Sequence, residues 1–403
     1  MAGFSAKGRW HDAFVDVLRR TQLAQPDELP EQVNAAVRRV GIDVTMYLVD
    51  QEQLRLHPLP ERGKPTPPPL PVEASLPGRV FTTVQVARAG GVDGPHRLWI
   101  PLVDGAERLG VAEVLLHEAE PTPELTEHCK TLVGLVGHLV ATKSPYGDLL
   151  HQVRRNRAMT VGGELLTSML PPLTFSCHRL AISGIVEPCY DLGGDAFDYA
   201  VDGSLARLAV LDAMGRGLKA GLTCAVALAA SRAARRDGHG LYDMARAVDG
   251  ALQEQFDDLR FVTGVLAELD LETGHLRYVN AGHPPPLLLR RGRAVRALTG
   301  GRRLPMGIED YVIEVGEEFL EPGDRLLLHT DGVTEARSPQ GVPFGTDQLV
   351  DLAERSAAAG LPAPETLRRM AHQVLEYQHG RLTDDATLLL AEWSSAAAER
   401  TQP

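Results

Sequence analysis

Cysteine is scarce in this chain: four residues in 403, Cys129, Cys177, Cys189 and Cys224, with no Cys-x-x-Cys pair among them. That spacing excludes a redox or metal motif built on paired thiols. The N-terminus, Met1-Ala2-Gly3-Phe4-Ser5-Ala6-Lys7, has no signal-peptide apolar core, so a reduced, cytoplasmic protein is expected. Long apolar runs are lacking too. The longest, such as Leu222 to Ala230, reach about half of the ~18 residues a membrane-spanning helix needs, and no contact with a membrane is expected. Positive charge is in deficit, 41 basic against 53 acidic residues for a formal charge of -12. This balance disfavours a nucleic-acid or anionic-membrane partner and is compatible with cation binding.

What is present is ordinary globular composition, 44% hydrophobic and 23% charged, at a length sufficient for two domains and a connecting helix. Helical spacing marks residues 10–20 and 31–41, through Phe14, Val17 and Leu18, then Val33, Ala36 and Val37. Strand patterns follow at 43–49, 84–88, 98–103 and 110–116, broken by a proline-studded stretch from Pro58 to Pro77. Residues 125–141 read as a helix whose Leu132, Val133, Leu135, Val136 and Leu139 face packs on that sheet or on a second subunit. Residues 146–170 read as one helix with a basic cluster at Arg154, Arg155 and Arg157 and a bend at Gly162-Gly163, stopped by Pro171-Pro172. From 178 onward strands alternate with helices: strands at 180–186, 206–211, 261–269, 276–280, 286–290, 295–298, 324–330 and 386–391, helices at 218–235, 241–256, 346–358 and 365–377. Sheets covered by helices, an α/β class, are the expected outcome.

Four aspartate stations stand where apolar runs meet turns, with no cation beside them in sequence: Leu192-Gly193-Gly194-Asp195-Ala196-Phe197-Asp198, Leu211-Asp212-Ala213-Met214-Gly215, His329-Thr330-Asp331-Gly332 and Thr383-Asp384-Asp385-Ala386. Singly, each has an ordinary reading. Asp-Gly at 331–332 is a common turn signal, and Gly193-Gly194 suits either a tight turn or a close backbone approach. Asp212, however, ends a continuous apolar run, and Asp384-Asp385 sets two like charges before a buried strand, which is costly without compensation. Together the four disfavour turns alone. Hard carboxylate oxygens without His or Cys partners select Mg²⁺ or Mn²⁺ over zinc. Two such ions about 3.5–4 Å apart generate hydroxide and stabilise in-line attack on phosphorus, which is phosphate-ester hydrolysis.

In their order and wording these motifs resemble the PPM phosphatase domain of the stage II sporulation protein E family, relatives of the metal-dependent type 2C phosphatases. The match runs over residues 178–393. It is carried by Asp191-Leu192-Gly193-Gly194-Asp195-Ala196-Phe197-Asp198, Leu211-Asp212-Ala213-Met214-Gly215-Arg216-Gly217, Tyr278-Val279-Asn280-Ala281-Gly282-His283-Pro284-Pro285, Leu304-Pro305-Met306-Gly307, Leu328-His329-Thr330-Asp331-Gly332-Val333-Thr334-Glu335 and Asp384-Asp385-Ala386-Thr387-Leu388. The resemblance implies an α-β-β-α sandwich with two Mn²⁺ or Mg²⁺ ions at one end. Asp195, Asp212, Asp331 and Asp384 would ligate them together with the carbonyl of Ala213, and Asp198 and Asp385 would stand behind them. Which member of each adjacent pair touches metal stays open. Arg216 stands where the family often has His, Ala196 where it often has an aromatic residue, and no arginine is evidently placed to grip the substrate phosphate. His283 reads either as a general acid or, better, as a satisfied histidine in a structural turn.

The N-terminal third is similar to a GAF sensor domain, through Ser75-Leu76-Pro77-Gly78-Arg79-Val80-Phe81, Trp99-Ile100-Pro101-Leu102 and Arg108-Leu109-Gly110-Val111. It carries no His or Cys arrangement that would name a haem, bilin or metal. The chain is therefore expected to hold a GAF-like α/β sensor domain at 1–143, a linker or signalling helix at 144–177 and a PPM domain at 178–396. The resemblance implies a phosphoprotein serine/threonine phosphatase in bacterial signalling, a homodimer acting on an anti-sigma-factor antagonist. The rival reading is a non-catalytic regulator that uses the same fold to bind a partner, and a nuclease is disfavoured by the absence of a basic groove.

Overall fold

The computed structural model describes residues 6–90, 94–117, 120–311, 314–380 and 382–401, so the first five residues of the N-terminal stretch lie outside the described residues. The chain forms two compact units, Met1–Asn156 with Arg400–Pro403, and Arg157–Glu399.

The first unit comprises helices α1 (Ala6–Thr21), α2 (Leu29–Val37), α3 (Leu76–Thr83), α4 (Pro123–Lys143) and α5 (Leu149–Val153), and strands β1 (Ile42–Val49), β2 (Arg55–Pro58), β3 (Leu70–Pro71), β4 (Ala87–Ala89), β5 (His96–Asp104) and β6 (Glu107–Leu116). The strands make one antiparallel sheet in the order β3-β2-β1-β6-β5-β4. Alternation of side chains along β1 and β5 divides the apolar residues between its two faces. Ile42, Val44, Met46, Leu98, Ile100 and Leu102 join Val17, Val33 and Leu132 in a core under α1, α2 and α4. Tyr47, Val49, Trp99 and Val111 join Val80 and Phe81 of α3 in a second core. The apolar face of α4 thus packs on its own sheet. The strand read at 84–88 starts later, because Val84 closes α3 in the left-handed region (φ 54°) and β4 begins only at Ala87.

The second unit comprises α6 (Val161–Met169), β7 (Thr174–Cys177), β8 (Leu180–Glu187), β9 (Asp195–Asp202), β10 (Leu205–Ala213), α7 (Gly217–Arg236), α8 (Leu241–Gln255), β11 (Val262–Asp270), β12 (His275–Ala281), β13 (Leu287–Arg290), β14 (Arg293–Ala297), β15 (Arg302–Arg303), β16 (Gly316–Phe319), β17 (Arg325–His329), α9 (Asp331–Thr334), α10 (Gly345–Ala358), α11 (Ala363–Tyr377), β18 (Ala386–Trp393) and α12 (Ser395–Glu399). One sheet runs β15-β12-β11-β10-β9, with β16 also on β12, and the other β14-β13-β17-β18-β8-β7. Leu180 and Ile182 of β8, Phe197 of β9, Val210 of β10 and Leu389 of β18 share one core, so the sheets pack face to face. Helices α7 and α8 contribute Cys224, Leu228, Met244 and Val248 to that core beneath the first sheet. On the other side α10 and α11 bury Leu349, Leu367, Met370 and Val374 against Leu327, Leu388 and Leu390. This is the expected α-β-β-α sandwich.

The stretch read as one helix over 146–170 is two short ones, α5 in the first unit and α6 in the second. Local side-chain bonds end the continuity. Asn156 donates to the carboxylate of Asp50 at 2.8 Å, and Thr160, in extended backbone, caps α6 by accepting from the Gly163 amide at 3.1 Å. Among the described residues no helix is long and apolar enough to cross a membrane, and no two cysteines form a disulfide.

The closeness of the two sheets is set at Gly184 of β8, where an added Cβ would meet the Phe197 ring at 2.4 Å. Gly184→Ala is expected to overpack the core and destabilise the second unit by about 1–3 kcal/mol. Thermal unfolding followed by circular dichroism checks this, and an unchanged melting temperature would refute the packing argument.

Candidate metal centre

Strand register brings the first two stations together. In the antiparallel pairing of β9 with β10, Asp195 lies directly opposite Asp212, and on the other side of β10 Asp212 faces Thr263 of β11. The second sheet delivers the others at the same end. His329 at the end of β17 pairs with Leu388 near the start of β18, so Thr330-Asp331 and Asp384-Asp385 emerge side by side.

Reciprocal hydrogen bonds stitch the two sheet ends. Asp195, buried on the first sheet, accepts on one oxygen from the hydroxyls of Thr330 at 2.7 Å and Thr387 at 2.8 Å, both on the second. In return Asp385 accepts on one oxygen from the amides of Gly193 at 2.7 Å, Gly194 at 2.6 Å and Asp195 at 3.3 Å. The glycines are required by these approaches. A Cβ at Gly194 would lie 2.9 Å from the Ala213 carbonyl oxygen, and one at Gly332 only 1.9 Å from the Asp385 carbonyl oxygen. The Asp331-Gly332 pair is therefore a contact between backbones, opening the short helix α9, and not merely a turn.

The electrostatics follow from burial and crowding. Burial, then Asp212 and Asp385, push Asp195 well above the usual carboxylate range. Burial, then Asp331, Asp384 and Asp385, push Asp212 up to about 7. Asp331 is raised by burial and by Glu335 and Asp384, and Asp385 by burial against the three amides that favour its charge. Among the described residues the one cation in ion-pair contact with this group is Arg216, whose Nη2 is 3.6 Å from Asp384 Oδ2, with both side chains largely exposed. The two differ from Asp385, which is turned into the backbone. Arg216, Asp384, Asp385, Gly193, Asp191 and Thr383 line a depression of about 120 Å³.

Six of the seven candidate positions, Asp195, Asp212, Ala213, Asp331, Asp384 and Asp385, thus meet at one end of the sandwich. Asp198 does not. Three residues beyond Asp195 along a strand, it points to the opposite face of the sheet and is held by Arg232 at 2.7 Å and Arg235 at 2.6 Å from α7. Arg216, noted in the sequence only as a departure beside the second station, stands next to Asp384 of the fourth. Thr330, Thr387 and Glu335 were not singled out by sequence reasoning; the signal for the threonines was a hydroxyl at a buried strand end, which needs a partner. His283 is a turn residue. Its amide donates to Asn280 Oδ1 at 2.8 Å, its Nδ1 lies 2.9 Å from the Thr263 hydroxyl, and burial pushes the imidazole down to about 3. Burial likewise takes His329 down to about 4. Both rings are neutral near pH 7 and neither is a ready proton donor.

The donor set is all oxygen, crowded and short of positive charge, which suits hard divalent cations. The carboxylates are gathered without being closed on one point: among the described residues no three His, Cys, Asp or Glu side chains converge as a preformed metal cage does.

The chain has relatives among known proteins. Residues 202–394 match the family model described as Stage II sporulation protein E, a stretch that holds Asp212, Asp331 and Asp384 but begins after Asp195. The chain is similar to phosphoserine phosphatase RsbU of Bacillus subtilis, 26% identical over 214 residues that cover 53% of this chain and 63% of that one. It is also similar to phosphoserine phosphatase RsbP of the same organism, 26% identical over 39% of this chain and 40% of that protein. The shared stretch is thus less than two thirds of either relative. Among solved structures, the RsbU and RsbW domains of a Mycobacterium tuberculosis protein are 28% identical over 54% of this chain and 62% of that one, with a TM-score of 0.47.

Asp212 is protonated in the folded, metal-free chain below about pH 7, whereas unfolded it ionises near pH 4. Between these values the folded state holds the extra proton, so its stability falls as pH rises. Asp212→Asn is expected to raise the melting temperature of the chelator-treated protein by roughly 4–8 °C at pH 8, and by much less at pH 5. Calorimetric scans at the two pH values check this; equal shifts at both would show that charge repulsion is not the cause.

Proposed function

Because residues 202–394 belong to the stage II sporulation protein E family of PPM-type phosphatases, we propose that this chain is a metal-dependent phosphoprotein serine/threonine phosphatase of bacterial signalling. The observation that carries the reading is the gathering of Asp195, Asp212, Asp331, Asp384 and Asp385 from four separate segments, with burial and mutual repulsion raising Asp195, Asp212, Asp331 and Asp385. Burying like charges together is costly unless a cation joins them.

Asp195, Asp212, Asp331, Asp384 and the Ala213 carbonyl would hold two Mn²⁺ or Mg²⁺ ions. When bound, such ions lower the pKa of a water to yield the nucleophile and stabilise charge on the phosphoryl oxygens. The chain's own residues set the geometry. Thr330 and Thr387 orient Asp195, and the amides of residues 193–195 fix Asp385 and with it the loop that presents Asp384. Such supporting contacts are worth about 10–100-fold in metal affinity.

Regulation is assigned to the N-terminal unit, read as a GAF-like sensor, and to α6. Three contacts tie α6 and the residues before it to the loop ahead of Asp195: the Thr160 amide donates to the Tyr190 carbonyl at 2.9 Å, Arg157 pairs with Asp191 at 2.7 Å, and Arg157 lies over the Tyr190 ring. A shift of α6 would therefore be felt by Gly193-Gly194 and the Asp385 anchor. The family resemblance makes an anti-sigma-factor antagonist the proposed substrate, and the scarcity of cysteine suits a reduced cytoplasm.

With Mn²⁺ the full chain is expected to hydrolyse p-nitrophenyl phosphate, and Asp331→Asn to lower turnover by at least about 100-fold with an unchanged circular dichroism spectrum. Undiminished turnover in that variant overturns the metal assignment, and Mn²⁺ uptake without any turnover identifies the non-catalytic regulator. For the substrate, cells lacking the protein are expected to accumulate one phosphoserine on an antagonist-type protein. A phosphoproteome comparison reads this directly, and accumulation confined to unrelated proteins would overturn the partner.

A further inference from the structure

The cation at the mouth of the carboxylate cluster stands in an unusual backbone setting. Arg216 lies between Gly215 (φ 99°) and Gly217 (φ 66°), immediately before α7, so two left-handed residues lift its side chain out of the strand-to-helix path. Its side chain is 70% exposed and lines the depression shared with Asp384 and Gly193. The neighbouring cation, Arg157, is committed elsewhere: it pairs with Asp191 at 2.7 Å and lies 4.8 Å from the centre of the Tyr190 ring. Among the described residues Arg216 has only the 3.6 Å ion-pair contact with Asp384, both side chains being largely exposed. Such exposed pairs are held weakly and exchange readily.

We propose that Arg216 binds the phosphoryl group of the substrate, exchanging its contact with Asp384 for two phosphoryl oxygens; the proposal rests on the phosphatase reading above. A phosphomonoester carries nearly two negative charges at neutral pH, and the cluster it approaches is itself lined by carboxylates. Without a positive group at the entrance the two repel. The guanidinium supplies that charge in a form an ammonium does not: its planar fork engages two phosphoryl oxygens at once. The depression has room for a phosphoryl group beside Asp384, with the rest of a protein substrate outside it. Arg216 is thus assigned to substrate binding, and the metal ligands keep their own role.

The test uses the full chain loaded with Mn²⁺ and inorganic phosphate as the probe, with binding followed by calorimetry. Arg216→Gln is expected to weaken phosphate binding roughly ten-fold or more and to raise KM for p-nitrophenyl phosphate in step, with a smaller change in kcat. Arg216→Lys should fall between, keeping the charge without the fork. Mn²⁺ affinity measured on the same samples should change less than about three-fold, since exposed pairs such as that with Asp384 contribute little. If wild type takes up Mn²⁺ and turns over ester while Arg216→Gln binds phosphate as tightly as wild type, this inference alone is overturned. If Arg216→Gln loses Mn²⁺ in proportion to phosphate, Arg216 serves the metal ligands and the inference is again overturned. A wild-type chain that takes up no Mn²⁺ overturns the phosphatase reading and this inference with it.

Discussion

The structure depends on a reciprocal exchange between two sheet ends. Asp195 of the first sheet is held by two hydroxyls of the second, and Asp385 of the second by three amides of the first. Each carboxylate is buried where it is costly to charge, and each is bonded across to the opposite sheet. The sandwich therefore closes at this end on polar contacts, while Phe197 against Gly184 and the apolar rows behind them close it in the middle.

That arrangement explains a division of labour among chemically similar side chains. Asp385 spends its oxygens on backbone amides and acts as a bracket. Its neighbour Asp384, one residue earlier and on the opposite side of the chain, stays open to solvent with Arg216. Asp198, three positions from Asp195, is neutralised by two arginines of α7 and braces the helix to the sheet. Same residue type and near neighbours in sequence, these differ because strand alternation and turn geometry send them to different partners. His283 shows the same logic. Behind Thr263 and cut off from water, it is kept neutral and serves the turn.

Such a site is also a local liability for stability. Carboxylates raised by burial and by one another oppose folding above the pH at which they ionise, and the apolar cores on both sides of the sheets supply the compensation. Natural proteins commonly concentrate unfavourable terms of this kind where chemistry is done. The strands beside the aspartates of the second sheet are deeply buried: β17, which precedes Asp331, and β18, which follows Asp384-Asp385, are buried along their whole length, as is β8 beside β18. A rigid platform holds the repelling groups in place.

The sequence alone was sufficient for the α/β class, the four stations and most elements, though not for β9, the strand that carries Asp195, because hydrophobic periodicity and the residues flanking each aspartate are local properties. It also carried the resemblance to the family whose model matches residues 202–394, since the motif series is linear. It misled over residues 146–170, where an apolar stripe continues but Thr160 and Asn156 find side-chain partners that end the helix. Only the tertiary structure decided that Asp385 is bound by the amides of residues 193–195, that Asp198 belongs to α7, that Thr330 and Thr387 support Asp195, and that Arg216 meets Asp384. All of these are contacts across tens to nearly two hundred positions, from |i−j| = 34 for Asp198 with Arg232 to 192 for Thr387 with Asp195. Periodicity states which face a residue takes within its own element; which element lies opposite that face is settled only when the sheets pack.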